Sequence, residues 1–164
     1  MKNLHVWVLL LSLLTFCGCD EREKELVNEF ENITQKNDSM TKVHENFQST
    51  HDKMKAQYEQ VKQSIYKLKN QDSTLLAELR DQGVMLERHD AILKSHAEII
   101  DAHNSVASEV NTMDTDELNT KILDMKEWHD QMAEDHEILE EEHLRLNNRF
   151  AVIKREIDSV KRYN

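Results

Sequence analysis

The chain has no proline, and among its 164 residues only two are glycine and two are cysteine. Because hairpin turns depend on glycine, proline and related turn residues, this scarcity argues against a sheet protein and favours one nearly all-helical domain. A basic surplus is also missing, since 21 basic residues face 32 acidic ones and the net charge is -11. Binding phosphate groups needs clustered lysine and arginine, so nucleic acids and anionic membrane surfaces are not expected as partners, whereas cations are.

Residues 1–18 are predicted to be a signal peptide. Lys2 gives a short basic start, and the apolar run over residues 4–16 is too short to span a bilayer comfortably. The run ends in Phe16-Cys17-Gly18-Cys19, which resembles the lipobox of bacterial lipoproteins. The resemblance implies cleavage before Cys19, a diacylglycerol on the Cys19 thiol, and attachment to a membrane of the bacterial cell envelope through that lipid.

The lipidated Cys19 and the acidic residues after it are predicted to form a tether over residues 19–25. Acidic residues at this place resemble the export signal with which some Gram-negative bacteria put lipoproteins on the cell surface. The expected location is therefore the outer membrane, on its periplasmic or its outer face. Cleavage also removes Cys17, which leaves no free thiol and excludes disulfides and thiolate metal sites.

From Leu26 onward, apolar residues and histidines recur at alternating steps of three and four, the pattern of a coiled-coil core. Two short breaks, at residues 70–73 and 111–115, are rich in side chains that cap helices, and Asp114 with Glu117 has capping-box spacing. The pattern predicts helices over about residues 24–70, 74–111 and 115–162. Because short connections force neighbouring helices to run antiparallel, residues 26–164 are predicted to form an all-α, antiparallel up-down-up three-helix bundle with coiled-coil-like heptad packing.

Two alternatives to this arrangement stay open. Gly83 is a potential helix stop, which would place the first turn at residues 81–83. The heptads also suit a homo-oligomeric coiled coil, although the two short breaks favour a monomer whose helices pack within one chain.

Eight histidines fall on core positions of these heptads, and within each helix their spacing is always seven. Turns centred near residues 73 and 116 predict which positions of neighbouring helices meet. The positions that meet form layers, and successive layers lie about 10 Å apart along the helix axis. The predicted layers are His44 with His103 and His129, His51 with His96 and His136, and Tyr58 with His89 and His143.

A buried neutral imidazole without a hydrogen-bond partner costs about 1 to 3 kcal/mol, so leucine would be more stabilising at each of these positions. Three imidazole nitrogens that converge from three helices are, however, a ligand set for a divalent transition metal, and zinc in catalytic sites leaves a fourth position open. Acidic residues directly after histidines are candidate acceptors for the ring nitrogens that face away from the metal. These residues are Glu45, Asp52, Asp90, Asp130 and Glu137.

Four methionines each lie four residues before a histidine, which places thioether and imidazole on one helix face. This combination suits copper(I), so copper is a second candidate metal behind zinc. The methionines concerned are Met40, Met85, Met125 and Met132.

The sequence thus predicts a non-enzymatic, lipid-anchored envelope protein that binds zinc or copper in stacked histidine layers, for metal buffering, delivery or structural locking. The principal alternative is a structural or adaptor lipoprotein that contacts an envelope partner and whose core histidines set helix register or respond to pH. Haem binding and an enzyme with an open three-histidine metal site are further alternatives. No motif in the chain names an enzymatic substrate.

Overall fold

The computed structural model describes residues 2–68 and 73–163, with side chains described over residues 21–68 and 73–162. Three α-helices make up nearly all of these ranges: α1 (Lys2–Tyr66), α2 (Ser73–Glu109) and α3 (Thr115–Tyr163). A 3-10 turn, Val110–Thr112, extends α2, and no strand occurs within the described ranges. The all-α prediction is confirmed. The predictions for the Cys19 side chain and for most of the first turn lie outside the described residues.

The boundary between α2 and α3 follows the capping signal in the sequence. The Asp114 carboxylate accepts hydrogen bonds from the backbone N–H groups of Asp116, at 3.0 Å, and Glu117, at 2.8 Å. These two donors belong to the first turn of α3, where a helix has no internal acceptors for its N–H groups. The break predicted at residues 111–115 is thereby confirmed, with Asp114 as the helix cap.

The alternative first turn at residues 81–83 is wrong, because α2 continues through Gly83 without interruption. Gly83 instead provides space for Tyr58 of α1, whose hydroxyl oxygen lies 2.7 Å from the position that a Cβ on Gly83 would occupy. The glycine is therefore explained by close packing between two helices and not by a helix end.

This contact makes the effect of Gly83→Ala depend on Tyr58. Alanine in a helix interior is favoured over glycine by about 1 kcal/mol, but the added Cβ would lie within 3.2 Å of the Tyr58 ring. We expect Gly83→Ala to leave stability unchanged or lower it in the native chain, and to raise the free energy of unfolding by about 1 kcal/mol when Tyr58 is leucine. Urea unfolding of the native chain, the two single variants and the double variant measures this difference. An equal gain in both backgrounds would contradict the contact between Tyr58 and α2.

The core divides into two apolar ends and a polar middle. One apolar cluster lies around the end of α1 and the start of α2, and comprises Met54, Val61, Ile65, Leu68, Leu75, Leu79, Leu86, Leu146, Phe150, Ile153 and Ile157. The other lies around the junction of α2 and α3, and comprises Leu26, Phe30, Ile33, Val106, Leu118, Ile122 and Met125. All eight predicted core histidines are 9% exposed or less and belong to the heptads between these clusters. In the middle of the helical bundle, buried imidazoles therefore alternate along the helices with buried apolar side chains such as Leu93, Met132 and Leu139.

The pairing of α2 with α3 agrees with the sequence prediction. Histidine rings meet in the order His103 with His129, His96 with His136 and His89 with His143, at centroid distances of 5.2, 4.9 and 5.0 Å. In these three contacts, residue numbers rise along α2 while they fall along α3. The order of the contacts along α2 is therefore the reverse of their order along α3.

The predicted register of α1 is wrong by one heptad. His44 meets His96 and not His103, and His51 meets His89 and not His96. These pairs are centred on residue 70, whereas the prediction used a centre near residue 73. α1 ends at Tyr66, so the turn between α1 and α2 comes earlier than predicted. Moving the centre of that turn by half a heptad shifts the α2 partner of each α1 residue by a whole heptad. A whole-heptad shift keeps the same helix face buried, which is why the heptad pattern alone did not reveal it.

Candidate metal centre

Two groups of three histidines meet in the bundle, with one member from each helix. The first group, here called the His96 set, is His44, His96 and His136; the second, the His89 set, is His51, His89 and His143. In each set, one nitrogen from each ring lies within 4.8 Å of the other two. All six rings are buried. The geometry brings together six of the eight predicted metal ligands.

Each of the six rings has a buried nitrogen without a hydrogen-bond partner. In both sets, this atom is Nδ1 in the histidines of α1 and α2 and Nε2 in the histidine of α3. An unsatisfied buried polar atom costs about 1 to 3 kcal/mol, so six such nitrogens substantially lower the free energy of unfolding. The repetition of the same arrangement seven residues apart indicates two sites of one design.

In three of the six rings, the opposite nitrogen contacts a carboxylate of another helix. Nε2 of His96 lies 3.0 Å from Oδ2 of Asp135, and Nε2 of His89 lies 2.7 Å from Oε2 of Glu142. An ionised carboxylate can only accept, so each Nε2 carries the proton and donates it. In a neutral ring with this tautomer, Nδ1 carries the lone pair, which is the form in which imidazole binds metals.

The third such ring is His51, whose Nε2 lies 2.9 Å from Oδ1 of Asp90. Of the five acidic residues predicted to accept from histidines, only Asp90 does so within the described side chains. Its partner lies on α1, and not at the neighbouring position in the sequence. No hydrogen bond joins a described histidine to the other four candidates, Glu45, Asp52, Asp130 and Glu137. A side chain that directly follows a core residue on a helix points about 100° away from it.

Sequence reasoning missed Asp135 and Glu142, which precede His136 and His143 by one residue but bond across to α2. Their spacing of seven, matched to the histidines, was the available signal. This signal identifies the two residues only when the pairing of α2 with α3 is also applied to the positions beside the core histidines.

The carboxylates of the His89 set are fixed by basic side chains. Glu142 accepts hydrogen bonds from Arg88 and, at 3.1 Å, from Arg145. Burial raises the pKa of the Glu142 carboxyl, but the hydrogen bonds from Arg88 and His89 outweigh this effect and leave the pKa below its ordinary value. Asp90 is similar: burial raises its pKa, and hydrogen bonds from Lys55, at 2.7 Å, and from His51 lower it by more. Both groups are therefore anionic at neutral pH.

Burial keeps four of the six histidines in these sets neutral at the same pH. It is the main reason that the pKa of His136 and of His143 falls from 6.5 to about 4, and neighbouring histidines of the same set lower it further. The pKa of His44 and that of His89 are also lowered, again chiefly by burial. Neutral imidazoles are competent ligands without first losing a proton.

The remaining two histidines do not form a third set. His103 and His129 stack on each other, and the ring of Phe30 stacks on His103 at 6.5 Å. Two expectations are thereby corrected: His103 and His129 do not meet His44, and Tyr58 does not join His89 and His143. With α1 shifted by one heptad, the position facing this pair belongs to Asn37, which is buried and whose Oδ1 has no partner.

Phe47 of α1 covers both sets on one side. Its ring centroid lies 4.8 Å from that of His136 and 5.8 Å from that of His143. Beside it, a groove of about 360 Å³ runs between α1 and α3, and its lining includes Val43, Leu144 and His143. The His89 set therefore lies next to a groove open to solvent.

Two of the four methionines predicted as auxiliary copper ligands, Met85 and Met125, belong to or pack against the apolar clusters. Met125 belongs to the apolar cluster near the junction of α2 and α3, Met85 packs against the other apolar cluster, and Met132 is fully buried. Met40 is half-buried. The Met85 sulfur lies 3.8 Å from an Arg145 guanidinium nitrogen. Packing accounts for Met85 and Met125 without a metal.

No helix within the described residues has an apolar stretch long enough to cross a membrane. The chain matches no family model, no curated protein and no solved structure.

Proposed function

We propose that the protein binds two transition-metal ions, one in each histidine set, and does so without catalysing a reaction. The observation that carries this proposal is the convergence of three buried imidazole rings in each of two sets, each ring with an unpaired buried nitrogen. Leucine would stabilise these positions more than an unpaired histidine does. A bound metal gives each of the six lone pairs a partner and thus explains what packing does not.

Zinc is the metal that the donors favour. Tetrahedral zinc bound by imidazoles at 2.0 to 2.1 Å needs nitrogens about 3.3 Å apart. Nitrogens within 4.8 Å of one another reach this separation through small side-chain rotations. Copper also binds imidazole strongly and is the second candidate. The all-nitrogen donors, together with Met85 and Met125 lying in the apolar clusters, favour zinc over copper(I).

The proposed ions tie the three helices together, since each set takes one ligand from each helix. We infer that the helices form an up-down-up bundle with heptad coiled-coil-like packing, in keeping with the opposite directions of the ring contacts. Metal binding then stabilises the fold directly, because the unfolded chain presents no preformed site. The same ions are available for buffering or delivery, and the burial of the ligands favours binding over catalysis.

Metal content tests the proposal. After equilibrium dialysis against zinc, elemental analysis of the protein, purified without affinity-tag histidines, is expected to give two zinc ions per chain. The double variant His136→Leu and His143→Leu loses one ligand from each set and should lose both ions. Replacing His103 and His129 by leucine is the matched control, and two ions should remain. Metal-free native protein that cannot be loaded would refute the proposal.

We also propose that the protein is anchored in the bacterial envelope by lipid on Cys19, as the likeness to the lipobox implies, and contacts an envelope protein partner as a monomer. The basis is the apolar run of residues 4–16 followed by Gly18 and Cys19.

Changing Cys19→Ser is expected to move the protein from the membrane fraction to the soluble fraction, because the serine hydroxyl does not accept the diacylglycerol. Cys17→Ser is the matched control and should stay anchored. Fractionation, with mass spectrometry of the N-terminal peptide, measures both. Membrane attachment of the Cys19→Ser variant at the native level would show that the anchor lies elsewhere.

A second candidate function rests on Asn37, His103 and His129. These are buried polar side chains with unpaired atoms, and they do not form a three-nitrogen set. Polar core layers fix helix register in coiled coils without binding any ligand. If all the histidines served this purpose, the protein would be a structural or adaptor lipoprotein, and its melting would be the same with and without metal.

A further inference from the structure

The two histidine sets differ in what holds their rings. In the His89 set, two of the three histidines donate to carboxylates: His89 to Glu142 at 2.7 Å, and His51 to Asp90 at 2.9 Å. In the His96 set only one does, His96 to Asp135 at 3.0 Å. His44 has the position equivalent to His51, but Ala97 stands where Asp90 would be one heptad further along α2. The His96 set therefore lacks one of the two carboxylate contacts.

The partners of these carboxylates differ as well. Arg88 and Arg145 bond to Glu142, and Lys55 bonds to Asp90, whereas Asp135 is held only by the neutral amide of Gln131 at 3.2 Å. Better fixed carboxylates hold their imidazoles in the metal-binding tautomer before an ion arrives. Removing a group that orients a metal ligand typically weakens binding 10- to 100-fold.

The basic residues also repel a cation, and this opposes the first effect. Lys55, Arg88 and Arg145 are each about half exposed, at 49%, 54% and 53%, whereas the Glu142 side chain is only 12% exposed. Water and salt screen charges at the surface much more than buried ones. The Asp90 side chain is itself 43% exposed, so the ordering of His89 by the less exposed Glu142 is the effect that outweighs the repulsion.

Resting on the metal binding proposed above, we propose that the two sets are unequal: the His89 set binds first and retains its ion, and the His96 set binds second and exchanges its ion. Asp90 and Glu142 are the positioning residues for the retaining set. Repulsion between the ions adds to the difference, since a helical rise over seven residues puts them about 10 Å apart. At that separation, repulsion between two doubly charged ions weakens the second binding step by roughly tenfold even at the dielectric constant of bulk water.

Two matched variants isolate the sets. His136→Leu and His143→Leu each remove an α3 ligand that offers Nε2, and each leaves the carboxylate contacts of α1 and α2 in place. Zinc affinity is measured by competition with a chromophoric chelator, and circular dichroism checks that each variant is folded. We expect His136→Leu, which keeps the His89 set, to bind zinc 10- to 100-fold more tightly than His143→Leu, which keeps the His96 set.

The carboxylates are tested in the His136→Leu background. Glu142→Gln should weaken zinc binding at least tenfold, while Asp135→Asn, which alters only the disabled set, should leave it unchanged. The His96 set takes the second ion of the native chain and the single ion of His143→Leu. The native chain should bind that ion about tenfold more weakly, because only there does a first ion repel it.

The outcomes separate this inference from the metal-binding proposal. If neither single-set variant binds zinc, the proposed function itself fails. If both bind within threefold of each other, or if His143→Leu binds more tightly, the sites bind metal but their inequality is refuted. Equal losses with Glu142→Gln and Asp135→Asn would refute the role of Glu142 as a positioning residue.

Discussion

Saturating zinc is expected to raise the melting temperature of the metal-free protein by roughly 15 to 30 °C. An ion that binds only the folded state stabilises it by about 4.1 kcal/mol when its free concentration is a thousand times its dissociation constant. For a chain of this size, each kcal/mol shifts the midpoint by about 2 to 4 °C, and the two sets contribute together. Melting followed by circular dichroism, with zinc and after a chelator, measures the shift.

Leucine substitutions assign the shift to the sets. Replacing all three members of the His96 set by leucine should remove the smaller part of the rise caused by zinc, because that set binds more weakly, and replacing the His89 set as well should abolish the rise. The same substitutions should raise the melting temperature of the metal-free protein, because each removes an unpaired buried nitrogen that costs about 1 to 3 kcal/mol. Replacing His103 and His129 should leave the zinc response unchanged. An unaltered zinc response in the chain without both sets would show that zinc acts elsewhere.

Much of the fold could be predicted because its signals are local. Heptad spacing identifies a helix from a window of a few turns, and the side chain of Asp114 marks the start of α3 within three residues. The pairing of α2 with α3 was correct for the same reason, since their connection is short and its cap fixes the centre of the turn. The predicted contacts of His103, His96 and His89 with α3 followed directly from that centre.

The register of α1 is a non-local property. In a core that repeats every seven residues, sliding α1 by one heptad buries the same face, so His44 suits either His96 or His103 as a partner. What distinguishes the two registers is the packing of individual side chains: Tyr58 lies over Gly83, and His103 lies against Phe30. Asp135 and Glu142 were missed because their roles depend on positions beside the core, which the heptad argument does not describe.

Metal-free protein is expected to unfold between about pH 6 and pH 4. Burial, with help from neighbouring imidazoles, lowers the pKa of His103, His136 and His143 from 6.5 to about 4. Between these values the unfolded chain binds protons that the folded chain does not, so the free energy of unfolding falls with the pH and levels off below about 4. At about 1.4 kcal/mol per pKa unit, three such groups together can remove most of the 5 to 15 kcal/mol that stabilises a typical domain.

Circular dichroism as a function of pH tests this expectation. Replacing His103, His136 and His143 by leucine should move the acid midpoint of the metal-free protein down by about one pH unit, since those rings no longer take up protons on unfolding. Met132→Leu, a fully buried change on α3 without a titratable group, is the control and should leave the midpoint in place. A midpoint that is the same in the triple variant and the native chain would contradict the role of these histidines in acid sensitivity.

Zinc and protons compete for the same nitrogen lone pairs in the two sets, so zinc should lower the acid midpoint of the native chain. In the variant that lacks both sets, zinc should have no effect on the midpoint. The native protein should then release its ions at a pH below that at which the metal-free protein unfolds. When an ion leaves, up to three protons bind the imidazoles of its set, and the protein unfolds at the same time. Zinc release should therefore depend steeply on pH and coincide with the loss of helix. A gradual release of zinc from protein that stays helical would contradict this coupling, because it would mean that the rings are protonated without leaving the core.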